Sequence, residues 1–138
     1  MFDAEDVPIR WFFHTARTQA NFYESCELRD RLLASVDQEN NSPEAVAEAG
    51  RLLGRWREVL LDERENATQA ASVVASDMRL GFYYSEQHLF AHAADMIRAK
   101  LDLLEKEIDE VLPGLAREFG LDIDGDDWSR PGDAENGE

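Results

Sequence analysis

Apolar residues recur at steps of three and four along most of this 138-residue chain. That spacing is the period of an α-helix with one apolar side. Segments from about residue 8 to 36 and from about 43 to 76 keep the period, and a third segment shows it most clearly. The apolar residues of the third segment are Ile97, Leu101, Leu104, Ile108, Val111 and Leu115. The sequence therefore predicts an all-α fold, an antiparallel bundle of three long helices.

Capping residues locate the first ends of two of these helices. Asp6 followed two residues later by Pro8 is a start signal for the first helix. Ser42 followed directly by Pro43 is a sharper signal for the second. A polar cap satisfies free backbone N–H groups, and a proline in the first turn has no N–H to satisfy.

The third helix contains Pro113, which lacks a backbone donor and clashes with the preceding turn. We therefore expect a kink near Leu112. Gly120 is suited to end the helix, because glycine adopts the left-handed conformation of a helix C-cap. We expect residues 1–121 to form the bundle domain. Residues 122–138 are acidic and poor in apolar residues, which predicts a disordered tail that only Trp128 could hold to the domain.

The charge of the chain limits its partners. Thirty Asp and Glu oppose 14 Lys and Arg, for a net charge of −16. This field repels phosphate groups, so neither nucleic acid nor an anionic membrane is an expected partner. Only Lys100 and Lys106 are lysines. Acid excess with scarce lysine favours a halophilic source, with GC-rich codon usage as the alternative explanation.

Several features indicate a cytoplasmic protein. No apolar run approaches the roughly 20 residues of a membrane helix. The first residues are acidic where an export signal would be basic. Cys26 is the single cysteine, which excludes an internal disulfide, and it lies on an apolar stripe, where we interpret it as a buried thiol.

The histidines are the candidate metal ligands. His88 and His92 are four residues apart, so on a helix they would share a face, and His14 could join them from the first helix. The alternative is that His14 is a core residue beside Phe12 and Phe13. The Glu-x-x-His motif of di-iron bundles does not occur, and we expect no cofactor.

The segment after the second helix is the candidate contact site. Arg79 offers a planar fork of donors, and Phe82, Tyr83 and Tyr84 are three consecutive aromatic residues. Aromatic side chains of this kind serve in partner or ligand contacts. They serve equally in a connecting loop that packs onto the bundle, so both interpretations stay open.

The same segment carries a resemblance. It reads Asp77-Met78-Arg79-Leu80-Gly81-Phe82, then an aromatic at Phe90, and then a helix with Lys100 and Leu104-Glu105. This resembles a passage in large glycoside-hydrolase-like carbohydrate-active proteins, in the all-helical C-terminal domain that follows a catalytic barrel. Here Met78 stands where the family passage has serine. The family's catalytic carboxylates lie in the barrel, so the resemblance implies no catalytic residue here.

These observations favour a non-catalytic helical accessory or interaction module, related to that C-terminal domain. It would act by forming a homodimer or by docking to a partner protein, through aromatic residues of the first helix and the segment Phe82–Tyr84. The alternative is a metal-binding helical-bundle enzyme or sensor that uses His14, His88 and His92.

We expect salt to stabilise this protein. Screening of the repulsion within a net charge of −16 should outweigh the loss of surface ion pairs, which contribute about 0–1 kcal/mol each. The melting temperature measured from low to molar potassium chloride should therefore rise. A fall would contradict the halophilic interpretation.

Overall fold

The structure, a computed structural model, is all-helical in the residues that it describes, with no strand among them, as predicted. The described residues are 6–36, 42–77, 92–124 and 128. The helices are α1 (Asp6–Val36), α2 (Pro43–Ser76), α3 (Ala93–Lys106) and α4 (Leu112–Glu118), with a π-helical turn at Glu107–Val111 between the last two.

The start of α2 has the predicted capping arrangement. Ser42 is extended, and its hydroxyl oxygen accepts a hydrogen bond from the backbone N–H of Ala45 at 3.2 Å. Pro43 occupies the first turn, where its missing N–H leaves nothing unsatisfied. The predicted bounds of this helix, from Pro43 to Ser76, are confirmed.

Helices α1 and α2 run antiparallel and contact each other along their length. Arg31 donates to Glu48 at 3.0 Å near the end of α1, and Arg17 donates to Asp62 nearer its start. Residue numbers therefore increase along one helix as the numbers of their contact partners decrease along the other. Helix α2 also contacts α3 and α4.

The buried apolar side chains form two clusters along α2. The larger contains Leu28, Leu32, Ala49, Leu52, Leu53, Val59, Leu60, Leu104, Ile108, Leu112, Ala116, Leu121 and Trp128. The smaller contains Ala67, Ala70, Val74, Ala93 and Ile97, with Trp11 packed against it. Both clusters draw on α2, and between them along the helix lie buried polar residues.

The apolar stripe that predicts α1 lies mostly on its outer side. Phe12, Phe13 and Tyr23 are 67%, 64% and 69% exposed, and Ile9 is also exposed. The side of α1 that packs on α2 is largely polar in the middle of the helix, as described below. The spacing of the apolar residues predicted the helix correctly, but it does not indicate which side of the helix faces the core.

Pro113 lies in the first turn of α4, directly after the π-helical turn. The backbone N–H of Leu112 donates to the carbonyl of Glu107, five residues earlier. The wider π-helical turn thus comes just before Pro113, which has no N–H to donate to the carbonyl four residues earlier. A change of helix direction at Leu112 stays a prediction.

Gly120 ends α4 as predicted. Its φ is 70°, in the left-handed region that glycine adopts without strain. Its N–H donates to the carbonyl of Arg117 at 3.0 Å, and the N–H of Leu121 donates to the carbonyl of Ala116 at 3.0 Å. This is the Schellman arrangement, which satisfies carbonyls at a helix end.

Trp128 is buried within the segment that was predicted to be a disordered tail. It is 5% exposed, belongs to the larger apolar cluster, and lies with the guanidinium carbon of Arg57 5.3 Å from its ring centroid. A Cβ at Gly54 would lie 4.0 Å from its Cβ, so Trp128, rather than a neighbouring helix, fills the space beside that glycine. The disorder predicted for the rest of the segment concerns residues largely outside the described ones.

We expect Trp128→Ala to lower the free energy of unfolding by about 3–5 kcal/mol, the usual loss for a buried Trp or Phe truncated to Ala. Trp128→Phe should lose less, because the ring still fills part of the site. Urea denaturation measures both. An unchanged midpoint for Trp128→Ala would show that this residue does not pack on the domain.

Candidate functional site

A polar network joins α1, α2 and α3 at the middle of the molecule. Its members on α1 are His14, Arg17, Thr18 and Asn21; on α2 they are Asp62, Glu63 and Asn66; and on α3 the member is Lys100. Asn21, Glu63 and Asn66 are buried. Buried polar groups require partners, and here the partners come from different helices.

Thr18 is the hub of this network. Its hydroxyl donates to Glu63 Oε1 at 2.7 Å. It accepts from Lys100 Nζ at 3.0 Å and from Asn66 Nδ2 at 3.0 Å. A hydroxyl has one donor and two acceptor sites, so these three bonds satisfy it fully. One side chain thus connects all three helices.

Glu63 is the most deeply buried charge of the network. Its side chain is 7% exposed and forms an ion pair with Lys100, whose side chain is 30% exposed. Asn21 Nδ2 donates to its second oxygen at 2.7 Å. Burial alone would raise the pKa of Glu63, but the hydrogen bonds from Lys100, Thr18 and Asn21 outweigh it and hold the pKa below its ordinary value.

Asp62 makes the neighbouring contact at the edge of the network. It accepts from Arg17 Nε at 2.9 Å and pairs with the same guanidinium through a second nitrogen. Asn21 donates to it at 2.8 Å. The bond from Arg17 is the main cause that lowers the pKa of Asp62. A bidentate pair of this kind also fixes geometry, so it orients α1 on α2.

Asn66 completes the α1–α2 side of the network. Its amide nitrogen donates to the backbone carbonyl of His14 at 2.9 Å. Its oxygen lies 2.7 Å from His14 Nδ1, so that ring nitrogen carries the proton and donates. His14 is therefore a half-buried hydrogen-bonding residue rather than an apolar core residue.

A groove with a cavity volume of about 290 Å³ lies beside the network, between α1 and α3. Phe22 and Cys26 line it from α1, Trp56 and Leu60 from α2, and Leu104 from α3. Cys26 is half-buried, so the expectation of a fully buried thiol is wrong. Trp56 Nε1 is buried without a hydrogen-bond partner among the described residues.

The charged groups of the network are paired with one another: Glu63 with Lys100, and Asp62 with Arg17. Lys100 donates to both Glu63 and Thr18, so its amine is engaged within the network. The arrangement therefore fixes three helices against each other, and we assign it a structural role.

The predicted contact residues Arg79, Phe82, Tyr83 and Tyr84 lie outside the described residues, and so does His88. Of the other two candidate metal ligands, His14 bonds Asn66, and His92 caps α3 by accepting the N–H of Ala94 at 3.0 Å. Among the described residues, no group of three His, Cys, Asp or Glu is placed to hold a metal ion. A site that includes His88 stays a hypothesis.

The sequence interpretation missed the network, although a signal for it exists. Polar residues recur at helical spacing on one side of α1, at His14, Thr18, Asn21 and Ser25. The exposed aromatic residues Phe12, Phe13 and Tyr23 lie on the other side of the helix. Spacing of this kind shows that these polar residues share one side of the helix. That this side faces the interior depends on a partner such as Glu63, which the spacing does not reveal.

Comparison with known protein families, with curated proteins and with solved structures finds no match to this chain. Among the described residues, no helix is long and apolar enough to cross a membrane.

We expect Lys100→Met to lower the free energy of unfolding by about 1–3 kcal/mol, because it leaves Glu63 buried without its cation. The loss stays below that of a fully buried pair, since Lys100 is partly exposed. The double change Lys100→Met with Glu63→Gln should recover much of it. Lys106→Met, an exposed change on the same helix, is the matched control. Equal unfolding midpoints for both single variants would contradict the role of the pair.

Acidification should destabilise the wild-type protein through Glu63 and Asp62. Both carboxyl groups have lowered pKa values when folded, so each stabilises the fold above its ordinary pKa of about 4 and loses that contribution as pH falls through the lower folded value. Unfolding followed from pH 7 to pH 2 measures this. In Glu63→Gln the free energy of unfolding should fall less steeply with decreasing pH. The same dependence on pH as in the wild type would show that Glu63 does not contribute.

Proposed function

We propose that this chain is a non-catalytic helical interaction module that presents the outer face of α1 to another protein surface, by self-association or by docking to a partner. The observation that carries the proposal is the exposure of large apolar side chains along α1. The exposed ones on this helix are Ile9, Phe12, Phe13, Phe22, Tyr23 and Leu33.

Concentration on one helix distinguishes these side chains from ordinary scattered surface residues. Exposed large apolar residues on α3 and after it are Leu103 and Val111, whereas α1 carries six. A concentration of exposed apolar residues on one element is typical of interaction sites in proteins. Aromatic residues are enriched at such interfaces, because they bring much contact area with few rotatable bonds.

The polar network supports the same role by holding α1 in place. Thr18, Asn21 and Arg17 bind α2 and α3 from the inner side of the helix. The outer side is therefore presented from a helix of 31 residues, about 46 Å long, whose position is already fixed. Such a surface binds without a large ordering cost.

The proposal includes the finer points that composition and pattern predict. These are a three-helix antiparallel bundle and a cytoplasmic, salt-adapted setting. The resemblance of the segment Asp77–Phe82 adds an orphan relationship to the C-terminal helical domain of glycoside-hydrolase-like proteins. The metal-binding alternative depends on His88, and no observation among the described residues favours it. Elemental analysis of the purified protein tests that alternative.

Photo-crosslinking in cells that naturally contain the protein tests the proposed role of α1. A photoreactive amino acid at Phe13 should give a discrete protein adduct. The same group at Ala75, an exposed position on α2, is the matched control and should not. Absence of an adduct at Phe13, or an equal adduct at Ala75, would overturn the proposal.

A further inference from the structure

We propose that the protein surface bound by α1 is the α1 of a second copy of this chain, packed antiparallel about a two-fold axis that passes near position 18. This inference rests on the proposed function and names its partner. Three independent features of α1 carry it: the spacing of its exposed residues, their symmetry along the helix, and its charge.

The outer side of α1 has the spacing of a helix–helix seam. Ile9, Phe13, Ala16, Ala20 and Tyr23 follow one another at alternating steps of four and three, and all are exposed. This is the pattern that keeps apolar residues facing a partner helix in a coiled coil. The α1–α2 contact lies on the other side of the helix, so this seam has no partner among the described residues.

The four inner residues of the seam are also symmetric about position 18, whereas Ile9 has Glu27 at its mirror position. Ala16 and Ala20 lie two residues from that position, and Phe13 and Tyr23 lie five residues from it. In an antiparallel pair centred there, each small residue faces a small one and each aromatic faces an aromatic. A two-fold interface must be self-complementary in this way, because the same patch is used on both subunits. The alanines allow close approach at the centre, and the flanking aromatics fill the wider ends.

The charge of α1 is compatible with self-association through this helix. The chain carries −16, so two copies repel each other over most of their surface. Helix α1 carries no net charge: its acids are Asp6, Glu24, Glu27 and Asp30, and its bases are Arg10, Arg17, Arg29 and Arg31. Helix α2 has more acidic than basic residues, whereas α3 carries equal numbers of the two. The exposed seam therefore lies on a helix along which two copies meet less repulsion than the net charge of the whole chain would cause.

The ends of the seam carry opposite charges. Arg10 lies eight residues before the centre and Glu27 lies nine after it, and both are exposed. In the antiparallel pair, Arg10 of each copy comes within one helical turn of Glu27 of the other. Two such contacts per dimer set the register, as flanking charges do in coiled coils.

A charge exchange between copies tests this register with purified full-length protein. Glu27→Arg and Arg10→Glu each place like charges opposite one another in their own homodimers, so we expect each variant alone to dissociate at least about tenfold more readily. Mixed together they form a heterodimer in which both contacts are again opposite in sign, so association should return. The double variant Arg10→Glu with Glu27→Arg should also associate like wild type.

Sedimentation equilibrium at low salt measures these constants, and circular dichroism confirms that each variant is folded. Ala20→Arg, at the centre of the seam, should abolish association, while Ala75→Arg on α2 should leave it unchanged. A wild-type chain that stays at 15.7 kDa overturns the inference. Single variants that do not recover on mixing overturn the antiparallel register.

The crosslinking experiment separates this inference from the proposed function. An adduct at Phe13 with the mass of two chains supports both. An adduct with a different protein supports the interaction module and overturns the second copy as partner. No adduct overturns both.

Discussion

The buried carboxylate of Glu63 is the constraint on which the arrangement of the helices depends. A charge in the interior must be paired and hydrogen-bonded, and Glu63 takes its partners from α1 and α3: Thr18, Asn21 and Lys100. Three helices must therefore meet at the same level. The inner side of α1 becomes polar there, which leaves Phe12, Phe13 and Tyr23 on the outside. The buried polar layer and the exposed apolar stripe on α1 thus have the same cause, the need of Glu63 for partners.

Local signals in the sequence were sufficient for most of the helix bounds. The Ser42–Pro43 pair and Gly120 act through their own backbone and nearest neighbours, so their effects can be read without knowing the fold. The inner side of α1 could not be found in this way. Thr18 and Glu63 are 45 positions apart, and only tertiary contact makes Thr18 an interior residue.

In the candidate site, too, some features could be predicted from the sequence and others depend on tertiary contacts. The aromatic residues of α1 were predicted to take part in contacts, but the position of Phe12, Phe13 and Tyr23 opposite a polar network follows only from the structure. Trp128 was named as the one residue that could hold the acidic segment to the domain, but its neighbours could not be read from the sequence. Composition averaged over an acidic segment predicts disorder, but an average does not show where one large aromatic ring packs, and Trp128 lies beside Gly54 and Arg57.

The antiparallel contacts between α1 and α2 have a consequence for the order in which the chain folds. Arg31 and Glu48 are 17 positions apart, Glu24 and Arg55 are 31 apart, and the Arg17–Asp62 contact spans 45. The entropy lost on closing a loop grows with its length, so contacts nearest the connection form at the smallest loss. Each contact that forms shortens the loop that must close for the next contact. The hairpin should close from the Arg31 end, and the Glu63 network, which also needs α3, should form late.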